Sequence, residues 1–147
     1  MDISTILAKE NVFSDVEVAT KRQLFEIAAK NIADAKGLDE NKIFEALWER
    51  ENLGSTGYGD GVAVPHARIS GLDKVFAIFM RLSNGVDFDA YDDKNVDLLA
   101  IIISPEQSGE DHLQALAAFS GVLRSDDACK KLRQAKTSQE IYSILNR

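Results

Sequence analysis

The chain has 147 residues, of which 45% are hydrophobic and 28% are charged. This is the length of one ordinary domain, and the composition can fill a sizeable core, so we predict a single domain spanning residues 1–147. The net charge of −7 at pH 7 repels phosphate backbones, which argues against nucleic-acid binding and favours a basic protein partner.

Cysteine content and apolar runs bear on the cellular compartment. Cys129 is the only cysteine, so no intrachain disulfide can form, which fits a reducing environment. The N-terminus lacks the basic and apolar regions of a signal peptide. The longest apolar run, residues 98–103, is too short to span a bilayer. We therefore expect a soluble, cytoplasmic protein with no stable membrane insertion.

The first third of the chain predicts one strand followed by two helices. Residues 2–9 have the pattern of a short amphipathic helix or turn, and residues 11–18 alternate loosely, as an edge strand does. Two stretches with apolar residues at helical spacing follow, and each carries end signals. Thr20 and Gly37 mark the two ends of the first helix, and Asp39 caps the second, which is expected to end near Glu51.

The stretch 54–67 is the most distinctive part of the chain. Four glycines fall within its first eight residues, which predicts a tightly turned loop with exposed backbone N–H groups. The apolar residues 62–64 predict a short strand that stops at Pro65, because proline cannot continue a hydrogen-bond ladder. His66 is therefore expected where a strand ends, beside the glycine loop, in a position that suits a reactive side chain.

Two longer strands are predicted at residues 75–82 and 96–103, with a turn at Asn84 and Gly85. Both strands are almost continuously apolar, which indicates burial on both faces. Three helices complete the chain, and each follows a capping signal. These signals begin at Ser108, Ser125 and Thr137. The order β-α-α-β-β-β-α-α-α predicts an α/β fold, a three-layer α/β/α sandwich with a mixed central sheet.

The two histidines, His66 and His112, are the candidate catalytic residues. His112 is expected in the first turn of a helix, where the helix dipole disfavours a protonated imidazole. A glycine loop and a helix N-terminus both bind anions. If they converge on His66, the anion they suit best is a phosphoryl group, which a neutral imidazole nitrogen would attack. Arg50 is a candidate clamp for phosphoryl oxygens. The candidate phosphoryl-binding loop contains Ser55, Thr56 and Gly57.

Other site chemistries fit the pattern less well. No Gly-Lys-Ser/Thr follows the glycines, so the loop is not a P-loop, and it precedes a strand, so it is not a dinucleotide fingerprint. Two distant histidines and one cysteine lack metal-ligand spacing. The aspartates within residues 87–97 lack the spacing of a calcium loop. We therefore predict no metal site.

The residues at the candidate site resemble a family signature. Residues 50–53, Arg-Glu-Asn-Leu, and residues 59–67, Gly-Asp-Gly-Val-Ala-Val-Pro-His-Ala, are similar to the active site of fructose/mannitol-type enzyme IIA domains. These domains belong to the bacterial phosphoenolpyruvate-dependent phosphotransferase system, and nitrogen-regulatory proteins form one branch of the family. The resemblance covers essentially the whole chain, including the segment 111–113. Tyr58 departs from it, since an aliphatic residue is usual there.

The resemblance implies a function and its partners. It implies that His66 accepts a phosphoryl group from the histidine-containing phosphocarrier protein, without a metal or organic cofactor. It implies that His112 supports His66 and the phosphoryl oxygens, and that Arg50 lies beside the site. No fused enzyme IIB, IIC or carrier domain accompanies the sequence, which favours a regulatory output, in which phosphorylation switches binding to a target protein.

Three alternatives stay open at this point. A sugar-specific enzyme IIA, which passes the phosphoryl group to an enzyme IIB domain in fructose/mannitol-type uptake, would have much the same sequence. A binding module on the same fold would have lost phosphotransfer, and Tyr58 is the only sign of such divergence. A hydrolase built on His66 and His112 lacks an evident base–nucleophile pair with an orienting carboxylate.

Overall fold

The structure is a computed structural model that describes residues 1–147. Its helices are α1 (Lys21–Lys36), α2 (Glu40–Leu53), α3 (Glu110–Leu123), α4 (Asp126–Gln134) and α5 (Ser138–Leu145). Its strands are β1 (Val12–Val16), β2 (Gly57–Gly59), β3 (Val62–Ala63), β4 (His66–Ile69), β5 (Phe76–Val86) and β6 (Val96–Pro105). Two short 3₁₀ helices, Ile3–Thr5 and Lys9–Asn11, precede β1.

The six strands form one mixed sheet with helices on both faces. Its order is β1-β5-β6-β3-β2, and β4 also pairs with β6. Strand β5 is antiparallel to β6, whereas β1 is parallel to β5, and both β3 and β4 are parallel to β6. Helices α1 and α2 cover one face, and α3, α4 and α5 cover the other. This confirms the predicted α/β/α sandwich, and β1 lies at an edge as expected.

Most of the predicted helix ends are correct, because capping depends on neighbours in the chain. The Thr20 hydroxyl accepts a hydrogen bond from the amide of Gln23 at 3.1 Å, and Gly37 ends α1 with a φ of 66°. Asp39, Ser125 and Thr137 cap α2, α4 and α5 in the same way.

No helix of the protein combines the length and the apolar composition that crossing a membrane requires.

The predicted strand count requires a correction, since five strands follow α2 instead of three. The glycine stretch is not wholly a loop: strand β2 forms a hairpin with β3, and Asp60 and Gly61 turn it with positive φ angles of 55° and 83°. Pro65 does not end the strand region either. Its carbonyl accepts a hydrogen bond from the amide of Ile102 at 2.9 Å, so the chain resumes beside β6 as β4.

Two local predictions are wrong. Ser108 does not cap α3: Gly109 occupies that position with a φ of 54°, and the Ser108 hydroxyl makes no hydrogen bond. The amide of Asp111 donates to the backbone carbonyl of Ser108 instead. Asn84 and Gly85 do not form a turn, because β5 continues through them to Val86, with a shift of its register against β6. Pairing with a long neighbouring strand overrides the local turn signal.

Candidate functional site

The local break at Pro65 positions His66. Ala67 and Ile69 of β4 pack into the core beneath α1 and α2, so His66 and Arg68 lie on the opposite face, toward α3. The half-buried His66 ring has its Nδ1 atom 2.9 Å from the carbonyl oxygen of Val64. Since a carbonyl only accepts, Nδ1 carries the hydrogen in the neutral ring, and the lone pair is on Nε2.

The second histidine lies beside the first. His112 is in the first turn of α3, as predicted, and its ring centroid is 5.4 Å from that of His66, with the ring planes at 58°. His112 is only 5% exposed. Its Nδ1 atom is 2.6 Å from the hydroxyl oxygen of Ser104, near the end of β6. Packing of α3 against the sheet therefore brings together two residues that are distant in the chain.

Burial keeps both imidazoles neutral near pH 7. It is the largest cause that lowers the pKa of His112 from its ordinary 6.5 to about 4, and the charges of Arg68 and His66 lower it further. Burial also lowers the pKa of His66, and the charges of Arg50 and Arg68 add to this effect, although the hydrogen bond to Val64 opposes it. The neutral state of His112 agrees with our expectation, but its main cause is burial.

Two guanidinium groups near the histidines have no ion-pair partner. Arg50, in the last turn of α2, donates to the carbonyl of Gly54 at 2.9 Å. Arg68 is exposed and lies opposite Ser104 in the register of β4 and β6. Neither forms a salt bridge. Two cations without ion-pair partners, next to two neutral imidazole rings, favour the binding of an anion at this place.

Arg68 is not among the site residues predicted from the sequence. Its spacing of two residues from His66 is the signal that could have found it, because residues two apart in a strand share a face.

The glycine stretch is anchored through a buried carboxylate. Glu51 is 4% exposed, accepts hydrogen bonds from the amide and hydroxyl of Thr56, and pairs with Lys21 at 2.8 Å. Thr56, which we predicted in the phosphoryl-binding loop, is therefore a buried anchor, because its hydroxyl is hydrogen bonded to Glu51. The Ser55 hydroxyl remains at the surface, where it accepts from the amide of Gly57 at 3.1 Å. A glutamate at a helix end gives no sequence signal of burial.

Tyr58, the residue that departs from the family pattern, has a structural contact. Its hydroxyl is hydrogen bonded to the hydroxyl of Ser120, so it joins β2 to α3. Ser120 is two turns along α3 from His112, about 12 Å. Tyr58 also lines a surface cleft of about 860 Å³ that contains neither histidine.

The protein has no group of three His, Cys, Asp or Glu side chains placed to hold a metal ion.

The fold and the paired histidines agree with one class of protein. Residues 5–147 match the family described as "Phosphoenolpyruvate-dependent sugar phosphotransferase system, EIIA 2". The chain therefore belongs to this family of phosphotransferase components, which confirms the resemblance seen in the sequence.

The individual relatives of this chain are of two kinds, nitrogen regulatory proteins and sugar-specific components. A nitrogen regulatory protein of Bradyrhizobium diazoefficiens is 40% identical over 145 residues, which cover 99% of this chain and 95% of the relative. A fructose-specific EIIA component of Haloferax volcanii is 39% identical, covering 98% and 94%. The crystal structure of nitrogen regulatory protein IIA-Ntr from Neisseria meningitidis is 36% identical, with a TM-score of 0.93 and coverage of 97% and 98%. The chain is thus similar to both regulatory and sugar-specific members.

Proposed function

We propose that the protein is a phosphoryl carrier that accepts a phosphoryl group on Nε2 of His66 from the histidine-containing phosphocarrier protein, and that its output is regulatory. The hydrogen bond from Nδ1 of His66 to the Val64 carbonyl carries this proposal. It leaves the Nε2 lone pair free, beside a second neutral imidazole and two unpaired guanidinium groups.

The transfer proceeds without a separate acid or base. The lone pair on Nε2 of His66 attacks the phosphorus of the donor's phosphohistidine, and a new N–P bond forms. The donor's N–P bond breaks, and its electron pair returns to the donor imidazole, which leaves as a neutral ring. Nδ1 keeps its hydrogen and goes on donating to the Val64 carbonyl, and this hydrogen bond stabilises the positive charge that the His66 ring gains.

The surrounding groups supply charge stabilisation. In phosphoryl transfer the negative charge spreads over three oxygens, so catalysis depends mainly on positioning and electrostatics. Arg50 and Arg68 contribute positive charge from α2 and β4, on either side of His66 in the chain. Ser55 adds a hydroxyl at the surface, whereas Thr56 acts through the anchoring contact with Glu51.

The regulatory output is favoured by the similarity to two nitrogen regulatory proteins, one of them with a solved structure. The phosphoryl group would carry roughly −1.5 to −2 charge, as at phosphoserine, phosphothreonine and phosphotyrosine. The positive charge on the His66 ring would offset part of this, so the site near Arg50 and Arg68 would become more negative by a smaller amount. That change would reverse the electrostatic preference of the surface for a target protein. The fructose-specific relative supports the alternative, in which the group passes to an enzyme IIB domain.

The test is phosphoryl transfer in a purified system. The protein is mixed with phosphoenolpyruvate, enzyme I and the phosphocarrier protein, and its mass is measured before and after acid treatment. We expect an acid-labile gain of one phosphoryl group that is absent in His66→Ala and slower to appear in His112→Ala. No gain, with donors that phosphorylate another enzyme IIA, would favour a binding module instead.

A second assay separates the two outputs. The phosphorylated protein is incubated with the enzyme IIB domains of the same organism. Retention of the phosphoryl group on His66 agrees with a regulatory role, whereas rapid transfer to one IIB domain would establish the sugar-transport alternative.

A further inference from the structure

We propose that Ser104 is a positioning residue that holds His112 in the tautomer with its hydrogen on Nε2, which makes His112 a hydrogen-bond donor to the phosphoryl group on His66. This inference rests on the proposed carrier function and assigns a role to a residue outside the sequence signature.

The contact between Ser104 and His112 is isolated from water and from other partners. Ser104 is fully buried, and His112 is 5% exposed. The hydroxyl oxygen of Ser104 lies 2.6 Å from Nδ1 of His112, and this is the only hydrogen bond of that hydroxyl. Buried polar groups satisfy one another when water is excluded, so this pair must be complementary.

Complementarity decides which atom donates. If the Ser104 hydroxyl donates to Nδ1, both groups are satisfied, and the neutral ring carries its hydrogen on Nε2. In the reverse arrangement Nδ1–H donates to the oxygen, and the hydroxyl hydrogen has no acceptor within hydrogen-bond distance. A buried donor without a partner is unfavourable. The first arrangement is therefore the stable one.

The two imidazoles are consequently set in opposite tautomers. The Val64 carbonyl places the hydrogen of His66 on Nδ1 and leaves Nε2 as the nucleophile. Ser104 places the hydrogen of His112 on Nε2. Because the ring centroids are only 5.4 Å apart, this N–H can donate to an oxygen of the phosphoryl group on His66. The lowered pKa of His112 supports this assignment of tautomers, because it keeps the ring neutral near pH 7. A doubly protonated ring carries hydrogen on both nitrogens and has no tautomers.

The test reads the tautomers directly by long-range ¹H–¹⁵N correlation NMR of the full chain labelled with ¹⁵N at pH 7. In the wild type we expect hydrogen on Nδ1 of His66 and on Nε2 of His112. In Ser104→Ala we expect His112 to populate both tautomers, and the rate of phosphoryl acceptance to fall about five- to tenfold, the effect of one lost hydrogen bond. Ser104→Thr keeps the hydroxyl and should restore both properties.

Ser120→Ala is the matched control, because it also removes a buried serine hydroxyl, whose partner is Tyr58 rather than His112. It should change neither the tautomer nor the rate. The inference is overturned if wild-type His112 carries its hydrogen on Nδ1, or if folded Ser104→Ala keeps both the wild-type tautomer and the wild-type rate. The spectra need no phosphoryl donor, so absent transfer with the expected tautomers would overturn the proposed function while the tautomer assignment stands.

Discussion

The Nδ1 atom of His66 donates a hydrogen bond of 2.9 Å to the carbonyl oxygen of Val64, on the far side of Pro65. The amide of Ile102 in β6 donates to the Pro65 carbonyl at this point. The carbonyl of Val64 therefore remains available to the imidazole. The interruption between β3 and β4 thus determines which nitrogen of His66 is exposed as a nucleophile.

This relationship predicts the site of modification. We expect the phosphoryl group on Nε2 of His66, because Nδ1 is occupied by the Val64 carbonyl. The ¹⁵N shifts and ³¹P couplings of the phosphorylated protein identify the modified nitrogen. Attachment at Nδ1 would mean that the hydrogen bond to Val64 breaks before transfer, contrary to our mechanism.

The rate of phosphoryl acceptance should depend on pH through His66. Only the neutral imidazole is a nucleophile, and burial places the pKa of His66 below its ordinary 6.5. The rate should therefore decline toward low pH, and the pH at which it falls to half of its maximum should lie below 6.5. Rates from pH 5 to 8, compared with the NMR titration of His66, check this. A midpoint at or above 6.5 would argue against burial as the controlling factor.

Folding stability should also depend on pH through His112. Its pKa is about 4 in the folded protein and near 6.5 when unfolded, so the unfolded chain binds more protons between these values. The free energy of unfolding should thus decrease as the pH falls from 7 to 5, by about 1 to 2 kcal/mol from this residue. Urea denaturation at both pH values measures the change. In His112→Gln this part of the pH dependence should disappear, and an unchanged dependence would contradict the assignment.

Removal of the Glu51 carboxylate should destabilise the protein. Glu51→Gln loses the ion pair with Lys21 and weakens two hydrogen bonds from Thr56, so we expect a loss of about 1 to 3 kcal/mol in the free energy of unfolding. Glu49→Gln, at an exposed position of the same helix without an ion pair, is the control and should change it by less than about 0.5 kcal/mol. Equal urea midpoints for the two variants would exclude the anchoring role.

The two free arginines should have distinguishable effects on the histidines. Arg68→Met should raise the pKa of both His66 and His112, whereas Arg50→Met should raise that of His66 alone, because their charges act on these rings in that pattern. Each change should slow phosphoryl acceptance about tenfold, the effect of losing a charge-assisted hydrogen bond. NMR titration and transfer rates measure both, with Arg124→Met as a remote control. Identical titrations in all variants would contradict this placement.

Much of the architecture follows from the sequence alone, because the interactions that determine it are local. The cap at Thr20 involves Gln23 three residues away, and Gly37 ends its helix through its own backbone conformation. The almost continuous apolar pattern of 96–103, interrupted only by Asp97, specifies burial on both faces whatever its neighbours are. His112 lies in the first turn of a helix as predicted, although the residue that caps this helix is Gly109 and not Ser108.

The tertiary structure alone decided the partners of the site, because packing between distant segments selects them. Pairing along β6 turned the expected end of a strand at Pro65 into a brief interruption, and the hairpin with β3 made a strand of Gly57–Gly59. The opposition of Arg68 to Ser104 depends on strand register, and the contact of Ser104 with His112 depends on how α3 packs on the sheet. No periodicity within the chain encodes these pairings, since each joins residues whose local environments are independent until the core forms.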